Sequence, residues 1–253
     1  MKSSNKIRSI ILDIAVKSNE GHIPSSFSIV ELLLSIYLKE KDNDNFFDPS
    51  CIVLSKGHAT YAYYAFLNYI GLFSKLETET VGQAGSKYYG HLPYIQNDTR
   101  FQFGSGSLGH GLPFAIGLAH GVKILKKSKV IYCIVGDGEL NEGTFWESLL
   151  LLQKLKITNI KVLIDCNGSS ERAIPIINIL KNLKTSFKDL DFIIVDGHST
   201  DALISAMSTI KKSQILLCET IKGYPISFMK DNFEWHHRIP NKNEILKIKE
   251  ELK

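Results

Sequence analysis

Five short apolar runs, "CIVLS", "KVIYCIVG", "IKVLIDC", "DFIIVDG" and "QILLCETI", recur along a chain of 253 residues, with helix-like stretches between most of them. In those stretches apolar residues recur at three- and four-residue spacing, the period of a helix with one buried face. Strands that alternate with helices pair in parallel, because each crossover returns the chain to the same end of the sheet. The runs are apolar throughout instead of alternating, so the sheet needs cover on both faces. A doubly wound α/β fold, mainly parallel, is expected. Helices are expected over 3–18, 27–40, 58–70, 106–126, 141–155, 174–184, 200–212 and 242–252. No repeat, low-complexity tract or Pro/Gly/Ser linker divides the chain, so residues 1–253 are expected to form a single domain. The 44% hydrophobic content is enough for its core.

Charge and composition exclude several classes of partner. The net charge is only +4, and Lys and Arg are interspersed with Asp and Glu, so no basic stripe exists to follow a nucleic acid backbone. No run approaches the length of a membrane span, and the first apolar stretch, broken by Asp13, lacks a small-residue cleavage site. A soluble, cytoplasmic protein is expected. Cys51, Cys133, Cys166 and Cys218 are far apart, form no CxxC pair and sit in or beside strand-like runs, which suits reduced, buried thiols.

The chemistry concentrates in "IVGDGELNEGTFWESLLLLQKLKITNIKVLIDCNGSS", Ile134 to Ser170. Asp137 ends one strand-like run and Asn167 the next, so both emerge at the carboxyl edge of the sheet, where ligands of open α/β sheets bind. A carboxylate and an amide carbonyl are hard oxygen ligands suited to Mg²⁺ or Ca²⁺, and Mg²⁺ completes its octahedron with water and phosphate oxygens. Gly136 and Gly138 lack a Cβ, and the helix that follows offers amides and a positive dipole end. The pattern suits a metal-bound diphosphate. A second glycine-rich segment, "FQFGSGSLGHGLPFAIGLAHG", opens a long helix whose first amides are expected to converge on a ligand. Five of the eight histidines, His22, His58, His91, His110 and His198, directly follow glycine. Chance would give roughly half of one such pair. A permissive backbone at these turns would let the imidazoles face a cavity.

GDG followed after 28 residues by Asn resembles the pattern of thiamine-diphosphate enzymes. The segments "EGHIPSSFSIVELLLSIY", "LSKGHATYAYYAFL", "GHLPY", "GSGSLGHGLPFAIGLA", "GDGELNEGTFWES", "DCNG", "VDGHS" and "ETIKGYPISFMKDNFEWHHRIP" resemble, in order, the diphosphate-binding N-terminal part of the transketolase family. The resemblance implies thiamine diphosphate with Mg²⁺ or Ca²⁺, held at Asp137, Asn167 and the carbonyl of Ser169 as metal ligands. It implies cofactor contacts from His58, Gly106, Leu108, Gly138, Asn167 and His237. Pocket histidines are His22, His91 and, within "WHHRIP", His237 in preference to His236. His198 and His120 are taken as structural. Departures from the family pattern, "GHIPSS" for GHPG, His110 for a frequent Gln, no acid after "GHLP" and a short "GSSERAIP" loop, bear on the sugar substrate more than on the metal site.

The family also needs a glutamate beside the cofactor pyrimidine, supplied by a second domain, and only 18 residues follow Trp235. The resemblance therefore implies the N-terminal subunit of a split transketolase, transferring a two-carbon ketol unit between sugars or sugar phosphates. A separate C-terminal subunit would complete it in a heterotetramer. The alternatives are another thiamine-diphosphate lyase or synthase subunit making an unusual sugar or deoxyketose phosphate, and a non-catalytic cofactor-binding subunit for regulation or assembly.

Overall fold

The computed structural model describes residues 2–168, 178, 180, 182, 186–208 and 212–253. Its centre is a five-stranded parallel sheet of β1 (Ile52–Leu54), β2 (Ile131–Gly136), β3 (Ile160–Cys166), β4 (Leu190–Asp196) and β5 (Ser213–Glu219), in spatial order β1-β2-β3-β5-β4. Helices α1 (Lys2–Ser18), α2 (Ile23–Phe27), α3 (Val30–Glu40), α4 (Thr60–Tyr69), α5 (Lys75–Thr80), α6 (Gly111–Ile124), α7 (Gly143–Leu155), α8 (Thr200–Ala206) and α9 (Lys242–Glu251) surround it.

Burial on both faces explains the apolar runs of β1, β2, β3 and β5, whereas β4, at the sheet edge, leaves Ile194 53% exposed. Ile52, Leu54, Tyr132, Ile134, Leu163, Leu216 and Cys218 pack into a core with α1, α3 and α4. Their alternate neighbours Val53, Ile131, Cys133, Val135, Val162, Ile164, Ile215 and Leu217 pack into a second core with α6 and α7. Side chains alternate across a strand, so two buried faces require an apolar residue at every position. The expected doubly wound architecture is the one observed. All four cysteines are buried. Among the described residues no helix is long and apolar enough to cross a membrane.

Several helix boundaries differ from the expectation. The helix expected over 27–40 begins at Val30, and a short helix outside the expected set, α2, precedes it; Pro24 stands in the first turn of α2, and Ser28 and Ile29 turn the chain between the two. The helix expected from 106 begins only at Gly111, since Gly106 (φ 140°) and Gly109 (φ 77°) hold backbone that no helix accepts. Of the helix expected over 200–212, Thr200–Ala206 is helical and residues 209–211 lie outside the described residues. Helix α5 lies outside the expected set; Ser74 and Glu77 form a capping box at its start, without an apolar periodicity to announce it. Ser169, and the helix expected over 174–184 apart from residues 178, 180 and 182, lie outside the described residues.

Candidate functional site

Parallel register brings the strand ends together: Gly136 pairs with Asp165, so Asp137 and Asn167 follow the ends of adjacent strands. They line an open cleft of about 190 Å³ at the carboxyl edge, with Lys56, His58, Leu108, Gly138, Lys222 and His236. Asp137 and Asn167 are only 3% and 4% exposed, so their oxygens are shielded from bulk water. Asn167 Nδ2 donates to Asp165 Oδ2 at 3.0 Å, which fixes the amide and turns Oδ1 away from that carboxylate. A buried carboxylate and an oriented amide oxygen fit a hard divalent cation, and the Lys222 ammonium fits the anion it would accompany, Lys56 being held by Ser25, Ser28 and Asp165.

Two buried carboxylates brace the cleft, Glu139 in its lining and Asp165 behind it. Asp165 accepts hydrogen bonds from Ser28 Oγ (2.7 Å) and Asn167, pairs with Lys56, and accepts from Thr220 Oγ1, joining the ends of β1, β3 and β5. Glu139 accepts from Ser55 Oγ at 2.5 Å, Gly136 N at 2.7 Å and Gly109 N at 3.0 Å. Burial pushes its carboxyl above the ordinary range, against these donors and the Lys56 charge. Glu139 and Ser55, which also accepts from Gly111 N at 3.1 Å, take up the amides of Gly109 and Gly111, two of those expected to meet a ligand at the start of α6. An internal acid and hydroxyl thus hold this part of the helix start in place.

The histidines gather at one side of the cleft. His22 and His58 stack with centroids 4.2 Å apart, and His22 lies 4.7 Å from His237 and 5.3 Å from His236. His91 is 5.7 Å from His58 and 6.4 Å from His22. Burial, then the neighbouring His58, His237 and His236, pushes His22 down to about 3; burial, then His236, His91 and the lysines, pushes His58 down to about 4. His22 Nδ1 lies 3.1 Å from the carbonyl of His236, an acceptor only, so Nδ1 carries the proton and Nε2 keeps its lone pair. Lys222 Nζ meets His236 Nδ1 at 2.9 Å. Burial and then Lys56 lower Lys222 to about 8.

The other expected residues take different places around the cleft. Of the WHH pair it is His236, and not the favoured His237, that lines the cleft; His237 is exposed. Gly106 is absent from the cleft lining, where Leu108 and Gly138 are present, and the Gly138 amide lies 2.9 Å from Asp137 Oδ1. The Gly-His pairs also work differently from the backbone permissiveness expected of them. Of the five glycines only Gly109 has a positive φ. A Cβ on Gly57 would lie 2.7 Å from the His91 ring, and one on Gly21 would lie 2.8 Å from the His237 backbone. The glycine lets a second histidine-bearing segment press against the first, and the left-handed conformation falls instead on His22 itself, at φ 62°.

Sequence reasoning passed over Lys56, Lys222, Glu139 and Asp165. The two lysines carried a signal: each precedes a glycine just after a strand, in "SKG" and "IKG". Asp165 carried none, since it reads as one more residue of β3.

Over residues 1–253 the sequence matches the family described as "Transketolase, thiamine diphosphate binding domain". It is 30% identical over 260 residues to an apulose-4-phosphate transketolase subunit of Phocaeicola vulgatus, covering 94% of this chain and 88% of that one. It is 29% identical to 6-deoxy-6-sulfo-D-fructose transketolase subunit SqwG of a Clostridium species, covering 92% and 89%. Human transketolase is 30% identical over 99% of this chain, which spans 41% of that protein. The crystal structure of Campylobacter jejuni transketolase superposes with a TM-score of 0.84 at 24% identity, covering 99% of this chain and 42% of that one, a likeness in fold. The chain belongs to the transketolase family, as a thiamine diphosphate binding domain of that family.

Proposed function

We propose that residues 1–253 form one domain that holds the diphosphate and metal half of a thiamine diphosphate site, and that the chain is the N-terminal subunit of a two-subunit ketol transferase. The observation that carries this reading is the cleft in which Asp137 and Asn167, at adjacent strand ends, face Lys56, Lys222, His58 and His236. Relatives named as transketolase subunits match over 88% and 92% of their own lengths, which supports a separate partner subunit. A heterotetramer with the C-terminal subunit, in the cytoplasm where the buried thiols stay reduced, completes the proposal.

In this reading Asp137 and Asn167 would hold Mg²⁺ or Ca²⁺, with Ser169 as a further carbonyl ligand, while Lys222 would balance diphosphate charge and Lys56, paired with Asp165, would brace the cleft wall. Gly138 leaves open space where a side chain would stand, since a Cβ there meets nothing within 4 Å. His58, His236 and Leu108 border the same ligand, with Gly106 beside them on the loop. The cofactor supplies a nucleophilic carbon and an electron sink for carbon-carbon cleavage. The chain's own part is proton handling. His22 and His58 are uncharged at neutral pH; with its Nδ1–H held by the His236 carbonyl, His22 would offer Nε2 as an acceptor, and His58 would offer one donating and one accepting nitrogen toward a ketose. His91 and His237, at the rim, would meet the part of the sugar further out. Relatives named for apulose 4-phosphate and 6-deoxy-6-sulfo-D-fructose favour an uncommon ketose over a standard one.

Calorimetric titration of thiamine diphosphate with Mg²⁺, into the chain alone and with its partner subunit, followed by a ketol-transfer assay, tests the reading. Turnover only with the partner is expected, and Asp137→Ala should abolish metal-dependent uptake. Absence of uptake from both wild-type preparations would favour the regulatory alternative. Lyase or synthase products with a panel of aldehydes would replace ketol transfer.

A further inference from the structure

His198 lies outside the cleft, yet each of its ring nitrogens has a defined partner. Nε2 accepts from the backbone N–H of Ile221 at 2.9 Å, so that nitrogen carries no proton. The proton therefore sits on Nδ1, which faces Glu31 Oε2 at 3.4 Å. Glu31 is in turn gripped by Arg8, Nη1 to Oε1 at 2.8 Å and Nη2 to Oε2 at 2.6 Å, both side chains being buried. The Tyr224 ring stacks on His198 at 3.9 Å and lies 5.2 Å from the Arg8 guanidinium, closing the assembly from the other side.

The amide that His198 holds belongs to the residue before Lys222, whose ammonium meets His236 in the cleft. On the far side of Lys222, Gly223 N donates to the carbonyl of Pro24 in α2, the helix that begins beside His22. Lys222 is thus carried on backbone pinned at two points, and His198 supplies one of them.

We infer that His198 is a positioning residue: through the Ile221 amide it sets where Lys222 stands in the cleft, with Glu31 and Arg8 fixing its tautomer. The inference rests on the reading of the cleft as a cofactor site, and concerns this chain's own contacts toward that ligand. Two substitutions separate its hydrogen bond from its packing. His198→Phe keeps the ring against Tyr224 and loses the acceptor; His198→Gln loses the ring and keeps an acceptor and a donor.

With the partner subunit present, His198→Phe should weaken binding of thiamine diphosphate and Mg²⁺ by about tenfold, as the loss of a supporting contact behind a ligand does. Its kcat at saturating cofactor should stay within about twofold of wild type, because no reacting group is removed. His198→Gln should bind as wild type does. In the chain without cofactor, hydrogen exchange at the Ile221 amide should be fast in His198→Phe and slow in His198→Gln. Wild-type affinity in His198→Phe, or equal losses in both variants, would overturn the inference. Should the wild-type pair take up no thiamine diphosphate, the cofactor reading fails by itself, and exchange at Ile221 then decides: a difference between the variants upholds the pinning, and equal exchange overturns it.

Discussion

The histidines of the cleft and His198 show two uses of one side chain within a single chain. His22, His58 and His236 face one another and the cations Lys56 and Lys222, so protonating any of them adds charge to a half-buried group with like charges beside it. His198 has an amide donor on one nitrogen and a carboxylate on the other. The first arrangement leaves imidazoles uncharged, with lone pairs available for chemistry. The second commits both nitrogens to holding backbone in place. The difference is one of partners: His22, His58 and His198 all follow glycine in the sequence.

Removing one member of the cleft cluster should have the largest effect. His58→Ala should lower kcat/KM of the complex with the partner subunit by about 10²–10⁴-fold, the range of a proton-handling side chain, with the fold kept. Steady-state kinetics and a thermal melt on the same sample check it; unchanged kinetics would leave the cleft histidines no catalytic distinction from His198. On the supporting side the effect should fall on stability instead. Arg8→Met leaves Glu31 buried without its bidentate partner, and loss of about 3–5 kcal/mol is expected in denaturant unfolding.

The two regions should also separate by pH. Because the folded chain lowers His22 and His58 from 6.5 to about 3 and about 4, the unfolded chain binds more protons below pH 6.5, and stability falls as pH drops from 6.5 toward 4. Glu31 goes from 4.5 to about 2: burial alone would raise it, but the hydrogen bond from His198 and the charge of Arg8 outweigh that. Its contribution is therefore present above pH 4.5 and is lost as pH falls toward 2. Thermal midpoints against pH should flatten in the upper window for His22→Gln/His58→Gln, and in the lower window for Glu31→Gln. Exchanging those windows would sink the assignment. The smallest effect is expected at His110, exposed at the start of α6, where His110→Ala should change stability by less than about 0.5 kcal/mol. A glycine-histidine pair does not by itself make a pocket.

Much of the fold and site is legible in the sequence because it is local. The ends of β2 and β3 follow from their apolar runs, and with them the emergence of Asp137 and Asn167 at one edge. His22 and His58 stand out through their glycine neighbours and family motifs. His236 and His237 are harder to rank, since adjacent residues differ in facing only once the tight turn over Phe233–Trp235 fixes the chain direction. Lys56 and Lys222 are hidden because a lysine after a strand reads as a solvated end, and only the packing of β1 beside β2 and of β5 beside β3 buries both. Asp165 is hidden for a related reason: its partners Ser28, Lys56 and Thr220 come from three distant segments.

The sequence by itself determined the parallel α/β sheet, its two covered faces and the strand-end oxygen donors, because periodicity and strand length act within a few residues of the chain. Tertiary structure alone decided which histidines are crowded into neutrality and which is pinned between a carboxylate and an amide. Those outcomes depend on burial and on charges brought from α1, α3 and the loops after β4 and β5, and no spacing along the chain encodes such distances.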